Sequence, residues 1–178
     1  STLMRSSAAS DVYKRQGQLL DKALLSVGIT RDRVYVTNIV KCRPKGNRTP
    51  TVTEGNECGG RWLAEEIRLL QPKVVVALGK VALRFFLGHD AGIIRSRGHW
   101  IDYRGIPVMP TFHPAYLLRQ TGEGLKDAKW QVYYDLKAAK DRAAEAVPGW
   151  VWESDTPPDL LEELKEVREK RMGTPSAF

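Results

Sequence analysis

A chain of 178 residues with 42% hydrophobic residues and a net charge of +7 has the size and composition of about one globular domain. No apolar run is long enough to span a bilayer and the N-terminus lacks a signal-peptide core, so we expect a cytoplasmic protein. The positive charge is compatible with a polyanionic partner, although many basic proteins have none. We expect the two cysteines, Cys42 and Cys58, not to form a structural disulfide in that compartment.

The first forty residues predict one helix and one strand after an unstructured start. Residues 1–16 have neither helical nor strand periodicity, so we predict a disordered lead-in. From Gly17 apolar residues repeat at helical spacing, and Gly28 is placed as the C-terminal stop of that helix. The β-branched and aromatic run 34–40 predicts a strand with Asn38 near its carboxyl end.

The remaining elements alternate between helix and strand. A helix is predicted over residues 53–70, and the continuous apolar run 73–78 predicts a buried parallel strand. A helix over 80–87, two strands around a tight turn within 99–109, and an amphipathic helix over 126–146 follow. This order predicts an α/β protein, a three-layer α/β/α fold with a central, mainly parallel sheet.

The composition also divides the chain into three parts. Residues 1–16 are the lead-in, residues 17–146 form the domain, and residues 147–178 form a C-terminal extension that begins around Pro148. A narrow leucine stripe in this extension predicts a charged helix, either docked on the domain or partly free.

One histidine lies at a predicted junction between a strand and a helix. The apolar run 107–109 is expected to stop at Pro110, and Pro114 is well placed as the first residue of a helix. His113 lies in the short loop between them. Taken alone, such a histidine is more often a buried side chain that is satisfied by a backbone carbonyl, so the rest of the chain has to decide its role.

Several motifs occur together in the order and at the spacing of one enzyme family. They are Thr-Asn-Ile-Val-Lys-Cys-Arg-Pro at 37–44, Gly-Asn-Arg-Thr-Pro at 46–50, Cys58, Val-Ala-Leu-Gly at 76–79, and Thr-Phe-His-Pro-Ala-Tyr-Leu-Leu-Arg at 111–119. Together they closely resemble the family-four, iron–sulfur type of uracil-DNA glycosylase. The resemblance extends from Gly17 to about Ala139, and Lys-Cys-Arg-Pro with a second cysteine downstream is what indicates this branch.

The resemblance implies an enzyme that hydrolyses the N-glycosidic bond of uracil flipped out of DNA and so starts base-excision repair. Asn38 would bind uracil, because its amide matches the N3–H donor and the O4 acceptor of the base. His113 would be the catalytic residue that stabilises the departing uracil anion. Pro114, Ala115 and Arg119 would contact DNA. Without the resemblance, Asn38 is as readily a backbone cap and Arg119 a solvated helix charge.

The resemblance also implies a cofactor. Members of the family hold a 4Fe-4S cluster with four cysteines, and Cys42 and Cys58 match the third and fourth ligands. The other two cysteines, the Gly-Glu-Ala-Pro-Gly motif with its water-positioning acid and the first strand precede the match in the family, and residues 1–16 contain none of these motifs.

We therefore expect an N-terminally truncated, monomeric member whose partner is uracil-containing DNA. Its cluster is not expected to assemble, and its hydrolysis is expected to be slow. The alternative is a catalytically incomplete, DNA-binding remnant of the same fold. A third option is an α/β domain that binds a small molecule, for which failure to bind DNA at any salt concentration would be the sign.

Overall fold

The computed structural model describes residues 7–41 and 44–149, in which helices surround a small sheet. The elements in chain order are α1 (Ser7–Ser26), α2 (Val52–Arg61), α3 (Leu63–Leu70), β1 (Val75–Leu78), α4 (Gly79–Leu87), α5 (Ile93–Ser96), β2 (Ile101–Tyr103), β3 (Ile106–Thr111), α6 (Pro114–Leu117) and α7 (Gly122–Glu145). The charged helix predicted in the C-terminal extension lies outside the described residues. Among the residues described, no helix has the length and apolarity required to cross a bilayer.

The sheet is mixed. Its strands lie in the order β1-β3-β2. β1 and β3 are parallel, with Leu78 opposite Thr111, whereas β2 pairs antiparallel with β3 across a tight turn at Arg104 and Gly105. The fold is therefore α/β, as predicted. β1 and β3 have the expected parallel arrangement, and the two strands predicted around a tight turn form the antiparallel hairpin of β2 and β3.

Helices cover both sides of this sheet. Successive residues of a strand face opposite sides, and Val76 packs on one hydrophobic cluster while Ala77 belongs to another. The first cluster is built mainly from α1, α6 and α7, and includes Leu24, Phe112, Leu117, Val132 and Leu136. The second is built from α3, α4 and β3, and comprises, with Ala77, residues Leu63, Ile67, Phe85, Phe86 and Val108. The sheet thus separates two apolar cores.

The prediction of a strand over residues 34–40 is wrong. In the described part of the chain no strand precedes β1, and this segment is irregular. It is attached to α3 through side chains: the Thr37 hydroxyl donates to Glu66 Oε2 at 3.1 Å, and Lys41 Nζ contacts Glu66 Oε1 at 2.6 Å. A β-rich composition favours extended backbone, but a strand also needs a neighbouring strand to supply its hydrogen bonds.

The N-terminal helix begins earlier than predicted. α1 starts at Ser7, so the expectation of a disordered lead-in over residues 1–16 is wrong from Ser7 onward. Asp11 and residues 13–15 are exposed, and an exposed turn carries no apolar stripe by which periodicity could detect it. Lysine and arginine are nonetheless good helix formers, so the helix extends through them.

Candidate functional site

The carboxyl ends of β1 and β3 lie side by side and form the edge of the sheet at which His113 is found. β3 was expected to stop at Pro110 but continues to Thr111. The carbonyl of Pro110 accepts a hydrogen bond from the Gly98 amide at 3.1 Å, so the proline backbone faces the chain before β2. Its missing N–H therefore costs the sheet no bond between β1 and β3.

Gly79, the first residue after β1, allows His113 to approach this edge closely. Its φ is +80°, a conformation that side-chain-bearing residues rarely adopt. A Cβ placed on Gly79 would lie 2.8 Å from the Cβ of His113, closer than two carbon atoms can pack. The absence of a side chain at Gly79 is therefore a condition for the observed position of His113.

The ring of His113 is oriented by the short helix that follows it. His113 is the N-cap of α6, and Pro114 is its first residue, as predicted. The ring Nδ1 accepts a hydrogen bond from the Ala115 backbone N–H at 3.0 Å. A nitrogen that accepts carries no proton, so the neutral ring bears its proton on Nε2. His113 can therefore donate one hydrogen bond from Nε2 while the helix holds the other side of the ring.

The surroundings of His113 favour this neutral state. Desolvation by the neighbouring protein lowers the pKa of His113 below its ordinary value of 6.5, and the positive charge of Arg119 lowers that pKa further. The residue is still exposed on its other side. A ligand that reaches this edge of the sheet would thus meet a neutral donor rather than an imidazolium.

We expect the neutral ring of His113 to persist as the pH falls through 6.5 and to be lost only below it. Because the pKa is lowered in the folded chain, the stabilisation from the neutral ring is present above the unfolded pKa and is lost as the pH falls through the folded pKa. NMR titration of the His113 ring nitrogens, assigned by their absence in His113→Ala, measures the midpoint. A midpoint above 6.5 would contradict the described surroundings.

The segment after His113 places one apolar and one basic side chain at the surface. Of the residues predicted to contact DNA, Pro114 is buried, Ala115 is half-buried and Arg119 is exposed. Leu118, which belongs to the same motif, is 45% exposed beside Arg119, an exposure that the sequence did not predict. Apolar periodicity could not have found it, because the pattern does not distinguish an exposed leucine from a buried one.

Asn38, the predicted base-binding residue, is exposed within the irregular segment 34–40. The structure describes its backbone beside Thr37, whose side chain is bound to Glu66 of α3. A joint site formed by Asn38 and His113 stays a prediction.

Cys58 is the predicted metal ligand that the structure describes. It is half-buried on α2, and its Sγ accepts a hydrogen bond from the Lys41 N–H at 3.2 Å. Lys41, the residue before Cys42 in the sequence, is thus in contact with Cys58. Cys42 itself lies outside the described residues. Within the described ranges no three His, Cys, Asp or Glu side chains group as metal ligands. The sequence has two cysteines, half of the thiolates that a four-cysteine cluster needs.

Comparison of the sequence with known proteins shows the family to which this α/β chain belongs. A profile of the Uracil DNA glycosylase superfamily matches residues 6–137, so the chain belongs to this superfamily.

Within the superfamily, the chain is similar to type-4 enzymes. It is 45% identical over 128 residues to the Type-4 uracil-DNA glycosylase of Thermotoga maritima, covering 71% of this chain and 65% of that protein. With the Type-4 uracil-DNA glycosylase of Pyrobaculum aerophilum it shares 38% identity over 122 residues, 62% of each chain. A Type-5 uracil-DNA glycosylase of the same organism is 38% identical over 92 residues, 50% of this chain and 39% of that protein.

These comparisons confirm the resemblance to the type-4 branch. They also show that the matching part of this chain spans less than two thirds of the length of each of these relatives.

Proposed function

We propose that this chain acts as a uracil-DNA glycosylase, which hydrolyses the N-glycosidic bond of uracil flipped out of DNA and so starts base-excision repair. The observation that supports this most is the ring of His113. Its Nδ1 is bound by the Ala115 amide, so its Nε2–H is a donor of fixed direction. When the glycosidic bond breaks, negative charge develops on the uracil, and a preorganised donor stabilises that charge more than the ground state.

Asn38 would read the base. The side-chain amide offers one donor and one acceptor, which match the O4 and the N3–H of uracil, whereas cytosine presents the opposite pattern at these positions. Its exposure within segment 34–40 leaves the side chain accessible to such a ligand.

Leu118 and Arg119 would contact the DNA around the flipped nucleotide. Proteins that kink DNA often insert an apolar side chain between base steps, and arginine can contact the adjacent phosphates. The two side chains are exposed next to each other, immediately after α6.

We also propose that the helices on the two sides of the sheet form the three-layer α/β/α architecture.

The test is the rate at which Asn38→Ala releases uracil from a uracil-containing oligonucleotide. We expect a fall of about 10–100-fold, because two hydrogen bonds to the base are lost, with little change in affinity for the duplex. Asn56→Ala is the control, since Asn56 is an exposed asparagine on α2. Wild-type excision by Asn38→Ala would rule out the role of Asn38 in base recognition.

A DNA-binding remnant without glycosylase activity is the second candidate. This function needs only residues that contact DNA, such as the exposed Arg119, and no acid that positions the attacking water. Under this alternative the wild-type chain binds duplex DNA and releases no uracil, so the same assay separates the two functions.

Cys42 and Cys58 would be two of the four ligands of a 4Fe-4S cluster, with a structural role. The N–H that Cys58 Sγ accepts from Lys41 suits a cluster thiolate, because such sulfur atoms commonly accept hydrogen bonds. The sequence contains two of the four ligands. The roles proposed above for Asn38 and His113 therefore do not involve the cluster.

A further inference from the structure

A buried carboxylate joins three separate parts of the chain. Asp135 of α7 is only 3% exposed. Arg97, in the segment between α5 and β2, donates to both of its oxygens, from Nε to Oδ2 at 3.0 Å and from Nη2 to Oδ1 at 2.5 Å. Thr111, at the end of β3 and fully buried, donates its hydroxyl to Oδ2 at 2.6 Å. These three residues are called the Asp135 network below.

Stability alone does not account for this arrangement. Burying two opposite charges costs both of them their hydration free energy, and their mutual attraction often only offsets this cost. Apolar side chains of similar size therefore commonly give a protein of equal or greater stability. What the Asp135 network does supply is directional contact. The bidentate contact of the Arg97 guanidinium and the hydrogen bond of the Thr111 hydroxyl fix the position of β3 relative to α7 and to the segment before β2.

The Asp135 network contacts both residues that precede His113. Thr111 is part of the network. Phe112 is 4% exposed, and its ring centroid lies 5.9 Å from the guanidinium carbon of Arg97. The same ring stacks on Tyr116 of α6, with centroids 4.4 Å apart. The backbone that leads into His113, and the helix whose amide its ring binds, are thus attached to one buried ion pair.

We propose that Arg97 and Asp135 are positioning residues for His113. Through Thr111 they hold the end of β3 where the ring Nδ1 of His113 can accept the Ala115 amide and direct Nε2–H towards the substrate. They act through the backbone and touch neither uracil nor DNA. The proposal rests on the proposed role of His113 in uracil excision.

A pair of substitutions at Thr111 tests this. Thr111→Val keeps the size of the side chain and removes the hydroxyl that binds Asp135, whereas Thr111→Ser keeps the hydroxyl. We expect Thr111→Val to lower single-turnover excision at saturating DNA by about 10–100-fold without changing DNA affinity, and Thr111→Ser to restore most of the rate. In NMR spectra, Thr111→Val is expected to lose the single Nε2–H tautomer of His113.

Two further variants separate positioning from general effects on α7. Arg97→Lys keeps the charge but loses the bidentate contact. We therefore expect it to lower the excision rate and to lose the single His113 tautomer, as Thr111→Val does. Asp141→Asn removes an exposed ion pair on the same helix, in which Lys137 Nζ lies 2.7 Å from Asp141. We expect Asp141→Asn to leave both the excision rate and the His113 spectrum unchanged.

Unchanged excision and an unchanged His113 spectrum in Thr111→Val and Arg97→Lys would overturn the proposal, even if both variants unfolded at a lower temperature. If the wild-type chain releases no uracil, the proposed function fails. The tautomer of His113 in Thr111→Val then still decides whether the Asp135 network positions the ring, since that measurement needs no activity.

Discussion

His113→Ala is expected to lower the rate of uracil excision by about 10²–10³-fold, the usual cost of losing one preorganised donor to a developing anion. The substitution removes the Nε2–H donor, and it also removes the acceptor that the Ala115 amide binds at 3.0 Å. Single-turnover excision from a uracil-containing duplex measures the effect on chemistry, and a binding titration with the same duplex measures affinity. We expect the affinity to change little.

His89→Ala is the matched control for this experiment. His89 is exposed after α4 and its Nδ1 lies 3.0 Å from a backbone oxygen, that of Asp90. Its removal is expected to leave the rate unchanged. Equal losses in both variants would mean that the effect of His113→Ala comes from a general loss of structure.

Gly79→Ala is expected to lower excision by about 100-fold or more, because it displaces His113. The added Cβ would lie 2.8 Å from the Cβ of His113, and the neighbouring strand end has to move to relieve that contact. The positive φ adds a strain of about 1–2 kcal/mol. Thermal unfolding and single-turnover excision, measured on the same preparation, separate loss of stability from loss of rate.

Gly88→Ala isolates the backbone strain from the steric contact. Gly88 ends α4 with a φ of +75°, and a Cβ placed there meets nothing within 4 Å. We therefore expect Gly88→Ala to lower the free energy of unfolding by about 1–2 kcal/mol, the cost of the positive φ alone, and to excise uracil at a near-normal rate. If Gly79→Ala excises uracil as fast as Gly88→Ala, the close approach of His113 to the end of β1 is not needed for the reaction.

The elements that the sequence predicted well are those whose signals are local. The short apolar run ending at Leu78 became β1, and Gly88 ends α4 with its N–H bound to the Arg84 carbonyl. Pro114 begins α6 with His113 as its cap. Each of these features depends on residues within one turn or one strand, so composition and spacing suffice to predict them.

The features that the sequence did not predict depend on contacts between distant segments. Residues 34–40 have strand-like side chains, but the part of the chain that the structure describes supplies no strand beside them, and a single sequence does not reveal such a pairing. Asp135 occupies a buried position of α7, although the predicted apolar stripe of that helix contained no acid. Its partners Arg97 and Thr111 come from other elements, so only the folded chain shows why a carboxylate is tolerated there.

The candidate site itself was predicted from motifs rather than from periodicity. The Thr-Phe-His-Pro motif identified His113, and the structure adds the direction in which its proton points. The close approach of Gly79 to His113 was not predicted, because His113 lies far along the chain, between β3 and α6.

The parallel pairing of β1 with β3 has a consequence for how folding of this chain is monitored. Val75 pairs with Val108, so the edge that holds His113 forms only after the intervening helices and the hairpin have closed a long loop. The helices α1 and α7, with 20 and 24 residues, are the two longest that the structure describes, so they contribute strongly to a far-ultraviolet dichroism signal, and helices of this length can form in part from local contacts. A preparation can therefore look well folded by helical content and still lack an ordered sheet edge, so the His113 ring resonances are the better measure of the fraction of chains in which this edge has formed.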